Sequence, residues 1–174
     1  GLIALELREG DELINARLAN ENRDVMLVTR KGMSIRFSEA DVRATGRASI
    51  GVRGITLRDD DYVIGMDICD PANSLLIITE KGFGKRTDIE EYRIQSRGGK
   101  GLLTYKISEK TGELAGMMMV SDADDVMLIT TEGVIIRIHA ADISIIGRNT
   151  SGVRLMRTTE NNLIVSCAKT DREE

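Results

Sequence analysis

Apolar and polar positions alternate along this chain in short bursts, each of strand length. Residues 51–100 show the pattern most clearly. Val52 to Leu57 alternates and predicts a strand; Asp59-Asp60-Asp61 is a polar turn, and Tyr62 to Ile68 a second strand. Asp70-Pro71-Ala72-Asn73 is a turn through proline geometry and Asx hydrogen bonding. Leu75-Leu76-Ile77-Ile78-Thr79 is a continuous apolar run, the signature of a strand buried on both faces. Glu80-Lys81-Gly82 predicts a tight hairpin, with glycine free to take positive φ, and Phe83 to Thr87 returns as a fourth strand. Asp88 caps a single helical turn reaching Tyr92, and a loop from Gln95 to Lys100 closes the unit.

The whole pattern recurs. Gly1 to Leu7 returns as Gly51 to Leu57, Gly101 to Ile107 and Gly152 to Thr158, at steps of 50, 50 and 51 residues. A second marker agrees, for Val25 to Gly32 becomes Leu75 to Gly82 and then Val126 to Gly133. Asp24 and Asp125 precede this run in the first and third copies. Periods of this length belong to propellers and solenoids, and four strands in about fifty residues suit a propeller blade better than a solenoid coil. The expected fold is all-β and propeller-like, with four-stranded blade repeats in one repeat domain, 1–174. Its units are 1–50, 51–100, 101–151 and an incomplete 152–174. A single blade cannot bury both faces, so neighbours must stack on it. Opening at Gly1 inside a unit, the chain reads as an open arc or a piece of a larger assembly.

Composition sharpens the core and removes several chemistries. Aromatic residues are 3% of the chain and Trp is absent, so an aliphatic core is required. Met117-Met118-Met119 falls at a core-strand phase, and Tyr62, Tyr92 and Tyr105 read as packing residues. Cys69 and Cys167 lack metal-ligand spacing and read as reduced thiols of a cytoplasmic protein. The acidic clusters at 59–61 and 122–125 lack the calcium-loop pattern. No catalytic set, metal site or cofactor motif emerges, and the one histidine, His139, reads as a surface residue. No apolar run approaches a membrane span, so no membrane partner is expected.

Charge changes the picture more. The net charge is −4, yet windows 31–58, 81–106 and 133–157 hold 6, 7 and 4 Lys/Arg against 2, 3 and 1 Asp/Glu. Basic charge therefore returns at one phase of the repeat. Arg36, Arg86 and Arg137 stand four residues after the hairpin glycine, and Arg47, Arg97 and Arg148 four before the next opening glycine. Arg53 and Arg154 form a partial third set, with Lys31, Lys81, Lys85 and Lys100 adding charge. A row of such groups, one cluster per blade, can track regularly spaced phosphates. The bland alternative pairs these arginines with repeated acids such as Glu39, Asp41, Glu90, Glu91 and Asp142.

The loop Gln95-Ser96-Arg97-Gly98-Gly99-Lys100-Gly101 sets adjacent glycines between two cations. It fits an anion cradle and equally a plain turn between blades; it is not a Walker A loop, because Gly101 stands where Ser or Thr is needed. The acidic end Asp171-Arg172-Glu173-Glu174 reads as a competitor for the basic stripe or as a solvated tail.

Gly51-Val52-Arg53-Gly54-Ile55, Gly84-Lys85-Arg86-Thr87 and Gly147 to Arg154 resemble the C-terminal domain of the DNA gyrase A protein, with likeness from Gly1 to about Thr170. The resemblance implies a β-pinwheel, whose blades exchange strands with their neighbours. It also implies non-specific binding and bending of duplex DNA around a basic rim, in support of ATP-dependent negative supercoiling. The partners would be duplex DNA, the rest of the gyrase A protein and the gyrase B protein, in the cytoplasm at the nucleoid. Arg36, Arg86, Arg137, Arg47, Arg97 and Arg148 become the rim candidates. The family's gyrase-A box reads Gln-Arg-Arg-Gly-Gly-Lys-Gly in the first blade; here Ser96 takes its second position, in a later unit. The full box is therefore expected upstream. The strand-cleaving tyrosine belongs to the N-terminal portion of the gyrase A protein, so this stretch is expected to lack catalysis of its own. Topoisomerase IV shares the repeat, and a propeller used as a protein-interaction platform is the rival from another class.

Overall fold

The computed structural model describes residues 1–19 and 22–171. Three hairpins carry the fold. β1 (Asp24–Thr29) and β2 (Met33–Ser38) form the first, β4 (Ser74–Thr79) and β5 (Phe83–Asp88) the second, β8 (Asp124–Thr130) and β9 (Ile135–His139) the third. Their turns close on Gly32, Gly82 and Gly133, at φ of 87°, 82° and 77°, a region that a Cβ disfavours. Each hairpin runs into a single 3-10 turn, Glu39–Asp41, Ile89–Glu91 or Ala140–Asp142, and the Asp88 side chain caps the second of these.

Sheets and sequence units do not coincide. The first hairpin is flanked by β3 (Val63–Ile68) from the second unit and β6 (Leu102–Leu103) from the third, in the order β3-β1-β2-β6. The second has β7 (Leu114–Val120) and β10 (Val153–Arg154), in the order β10-β5-β4-β7, and the third has β11 (Ile164–Asp171), in the order β11-β8-β9. Every described pairing of named strands is antiparallel. The fold is all-β and propeller-like, a pinwheel of composite blades sharing strands with their neighbours. Helical structure among the described residues is limited to the three 3-10 turns.

This exchange alters one expected strand. Residues 52–57 form no strand, whereas their counterparts Leu102–Leu103 and Val153–Arg154 do. The counterparts pair with β2 and β5, in hairpins two units earlier; residues 52–53 have no such hairpin beside them among the described residues.

The apolar run behaves as its composition requires. Leu75, Leu76, Ile77 and Ile78 are all fully buried, and burying each contributes roughly 1.5–3 kcal/mol. Met117, Met118 and Met119 join the same core through β7. Tyr92 and Tyr105 are buried, but Tyr62 is exposed, with the Arg30 guanidinium 5.7 Å above its ring. Neighbouring blades meet along β3, β7 and β11. A Cβ on Gly65 would lie 2.5 Å from Met117 Cγ, and one on Gly116 2.5 Å from Cys167 Sγ. Cys69 is buried and Cys167 half-buried, both as free thiols. Residues 172–174, and with them the acidic end, lie outside the described residues.

Candidate nucleic-acid interface

The first arginine set serves the fold. Arg36 on β2 donates through Nε to Asp24 Oδ2 at 2.8 Å and through Nη1 to the carbonyls of Ile89 and Tyr92, at 2.9 and 3.1 Å, in the following unit. Arg86 on β5 repeats this one unit on, with Nε 2.9 Å from the Ile143 carbonyl and Nη1 2.6 Å from Asp122 Oδ1. Arg137 Nε donates to Asp125 Oδ2 at 2.6 Å from a more open position. Arg86 is only 4% exposed and the Arg36 side chain 11%. Both therefore leave the rim as direct phosphate contacts. The reason is strand exchange: the returning strands of the first two hairpins are covered by the next unit's turn, so these side chains face protein. Acid pairing is thus the correct account of these two, though the main acids are Asp24 and Asp122. Charge-assisted hydrogen bonds of this kind contribute roughly 1.5–3 kcal/mol each.

Lys85 is also turned inward. It is fully buried, with Nζ donating to the carbonyls of Gly147, Arg148 and Thr150 at 3.0, 2.5 and 3.2 Å and to Thr150 Oγ1 at 3.1 Å. Burial pushes the ammonium down to about 8, opposed by the Glu91 carboxylate and assisted by Arg148.

The second set is half committed. Arg97 donates to the carbonyls of Asp41 and Arg53, at 2.9 and 2.5 Å, and Arg148 donates to the carbonyl of Leu103, the counterpart of Arg53 one unit on. Both guanidiniums pin their own loop while staying partly open to solvent, and Arg47 is exposed. In the third set Arg53 and Arg154 are exposed, Arg154 lying 4.7 Å over the Phe83 ring. Lys31 and Lys81 sit half-buried at hairpin turns on the carbonyls of Asp59 and Glu109, while Lys100 is exposed.

The loop 95–101 uses its glycines against protein. Gly98 donates its amide to the Gly54 carbonyl at 2.7 Å, and Thr56 bonds the carbonyls of Gly98 and Gly99 at 2.7 and 2.8 Å. A Cβ on Gly101, at φ 77°, would sit 2.3 Å from the Ser34 carbonyl oxygen. The Gln95 amide donates to Arg36 at 2.8 Å, and Ser96 is exposed. The Gly98 amide is thus spent within the protein and is not free for a phosphate, while exposed Lys100 is part of the loop's outward chemistry.

Sequence reasoning passed over exposed Arg43, Arg93, Lys106 and Arg157. The signal was present, because Arg43 and Arg93 stand 50 apart and Lys106 and Arg157 51 apart. It missed His139 as well, whose Nδ1 lies 2.6 Å from Asp125 Oδ1. That contact and Arg137 hold the Asp125 carboxyl below its ordinary range. Among the described residues no cluster of His, Cys, Asp and Glu is arranged to hold a metal, and no helix is long and apolar enough to cross a membrane.

The model of the DNA gyrase C-terminal domain, beta-propeller family matches residues 1–20, 23–70, 73–121 and 124–171. The chain belongs to that family. The A subunit of DNA gyrase from Clostridium acetobutylicum is 48% identical over 174 residues, which cover 100% of this chain and 21% of the relative. That of Staphylococcus epidermidis is 42% identical over 176 residues, covering 100% and 20%. The chain thus spans about a fifth of the length of these relatives. A solved DNA gyrase A C-terminal domain superposes with a TM-score of 0.89 at 28% identity, over 97% of this chain and 58% of that one. The C-terminal domain of DNA topoisomerase IV superposes at 0.90 with 23% identity, over 97% and 53%, a likeness of fold alone. Exposed Lys100 lies in the strand-exchange loop 95–101 with Arg53 beside it, Arg154 lies just past the equivalent loop 147–152, and Arg47 holds the corresponding place in the first unit.

Proposed function

We propose that this chain, acting as one repeat domain, binds duplex DNA without reading its sequence and bends it around the strand-exchange rim. The observation that carries this reading is the exposure of Arg47, Arg53, Lys100 and Arg154 beside those loops, with Arg43, Arg93, Lys106 and Arg157 adding to the same phase. Half-exposed Arg97, Arg148, Lys31 and Lys81 take a secondary place, and Arg137 stays a candidate. Phosphate contacts from such groups release condensed counterions, so affinity falls steeply with salt. Specificity would come from the cost of deforming the duplex rather than from base edges.

Membership of the gyrase C-terminal family supports placing this activity in a gyrase A protein, working with the gyrase B protein in the cytoplasm at the nucleoid. ATP-dependent negative supercoiling belongs to that assembly, and the chain alone is not an enzyme. The test is fluorescence anisotropy of a mixed-sequence duplex between roughly 50 and 200 mM salt. A linear fall of log affinity with log salt is expected, and immeasurable binding at the low-salt end refutes the reading. Ligation of a nicked circle with the chain bound tests wrapping separately, through the linking number left after its removal.

A further inference from the structure

Lys85 stands at a position where the other two hairpins carry isoleucine, Ile35 and Ile136. The blade therefore has no intrinsic need of a lysine there. Burying an ammonium costs several kcal/mol unless oxygen partners replace its water. All four partners of this one belong to the loop 147–150.

The two rim loops are closed by different chemistry. In loop 95–101, the Gly98-Gly99 pair brings its carbonyls onto the amide and hydroxyl of Thr56, and Ile35 lies beneath, its Cδ1 3.6 Å from where a Cβ on Gly99 would be. In the next unit Asn149-Thr150 replaces the glycines and Lys106 replaces Thr56. The Lys106 amide still donates to the Thr150 carbonyl at 3.0 Å, but its side chain is exposed and the hydroxyl tie is gone. Lys85 supplies the missing closure from below. Tyr105 completes the latch, with its ring 5.1 Å from the ammonium and its hydroxyl donating to the Ser151 carbonyl.

We propose that Lys85 is the positioning residue of this second rim loop, holding Gly147–Ser151 in the one conformation that presents Arg148, Arg154 and Lys106 to a phosphate backbone. The proposal rests on the DNA-binding reading and adds a residue that touches no DNA itself. It makes the second loop depend on a buried charge where the first depends on glycine.

The test compares the parent chain with Lys85→Ile, the residue found at both equivalent positions. Amide hydrogen exchange across 147–152 is expected to speed by about tenfold or more in the variant, the factor that 1.4 kcal/mol produces, while residues 97–101 keep their protection. Duplex affinity at low salt is expected to fall by a similar factor. Arg148→Ala is expected to weaken binding in the parent and to cost nothing further in the variant. Unchanged protection of the loop overturns the proposal. Faster exchange with unchanged affinity, in a parent that binds duplex, also overturns it, because the loop would then be latched for no purpose at the rim. If the parent binds no duplex, the function above fails while the exchange comparison still reports on the latch. Should Lys85→Ile fail to fold, Thr150→Val removes one ammonium partner without touching β5, and the same measurements apply.

Discussion

The guanidinium of Arg86 reaches across a unit boundary to the carbonyl of Ile143, with Nε 2.9 Å from the oxygen. Arg36 makes the same reach one unit earlier, to Tyr92, the counterpart of Ile143, with Nη1 3.1 Å from the oxygen. The pair explains why arginine recurs at this phase: each ties a hairpin to the turn of the next unit.

Replacing Arg86 by Ala should therefore cost stability before it costs binding. It leaves the Ile143 carbonyl without its partner in a covered site, and an unsatisfied buried acceptor costs roughly 1–3 kcal/mol. Urea unfolding should show a markedly lower midpoint. A normal midpoint with weakened duplex binding would return Arg86 to the rim.

Removing exposed charge should do the reverse. The combined variant Arg47→Gln, Arg53→Gln, Lys100→Gln and Arg154→Gln should melt close to the parent, since surface substitutions usually stay within about 0.5 kcal/mol. Its salt dependence should flatten by about 0.9 in slope for each phosphate no longer neutralised. An unaltered slope would show that DNA, if bound, lies elsewhere.

Glycines at one phase should differ in tolerance. Gly101→Ala forces positive φ, at about 1–2 kcal/mol, and drives a Cβ against the Ser34 carbonyl. Gly51→Ala has φ of 90° but nothing within 4 Å of its Cβ, so only the backbone term applies. Thermal melts should rank Gly101→Ala well below Gly51→Ala. Equal losses would contradict the close seating of Gly101 on β2.

Asp125 should make the third hairpin acid-sensitive. His139 and Arg137 hold its carboxyl below the ordinary range, so its contribution is complete above the unfolded value of about 4 and is lost as pH falls through the folded one. Between these two values the unfolded chain binds more protons, so stability drops on acidification. Asp125→Asn should be less stable than the parent at neutral pH, and the difference should shrink below that window. A gap that stays constant down to about pH 2 would remove the carboxylate's role.

Much of this was legible in the sequence. The hairpins at 25–32, 75–82 and 126–133, the buried run Leu75–Ile78 and the Asp88 cap all follow from local rules: alternation, turn chemistry and side-chain bonds within a few residues. The phase of the basic residues was legible too. Their direction was not. Arg86 and Arg97 look alike as letters, yet one is sealed beneath the next unit's turn and the other lies at the edge of a loop. His139 looked solitary because its partner, Asp125, sits 14 positions away on the paired strand.

The fifty-residue period decides that this chain repeats a β-rich unit, because spacing and hydrophobic alternation are properties of the string. Only the tertiary structure decides that blades are composite, since that depends on which unit's strand reaches which sheet edge. Exchange then divides the cations into Arg36, Lys85 and Arg86, which bind the units together, and Arg47, Arg53, Lys100 and Arg154, which remain open to solvent. The physical reason is solvation: a charge faces water or faces carbonyl oxygens according to what is laid over it, and that cover comes from residues about fifty to seventy positions away.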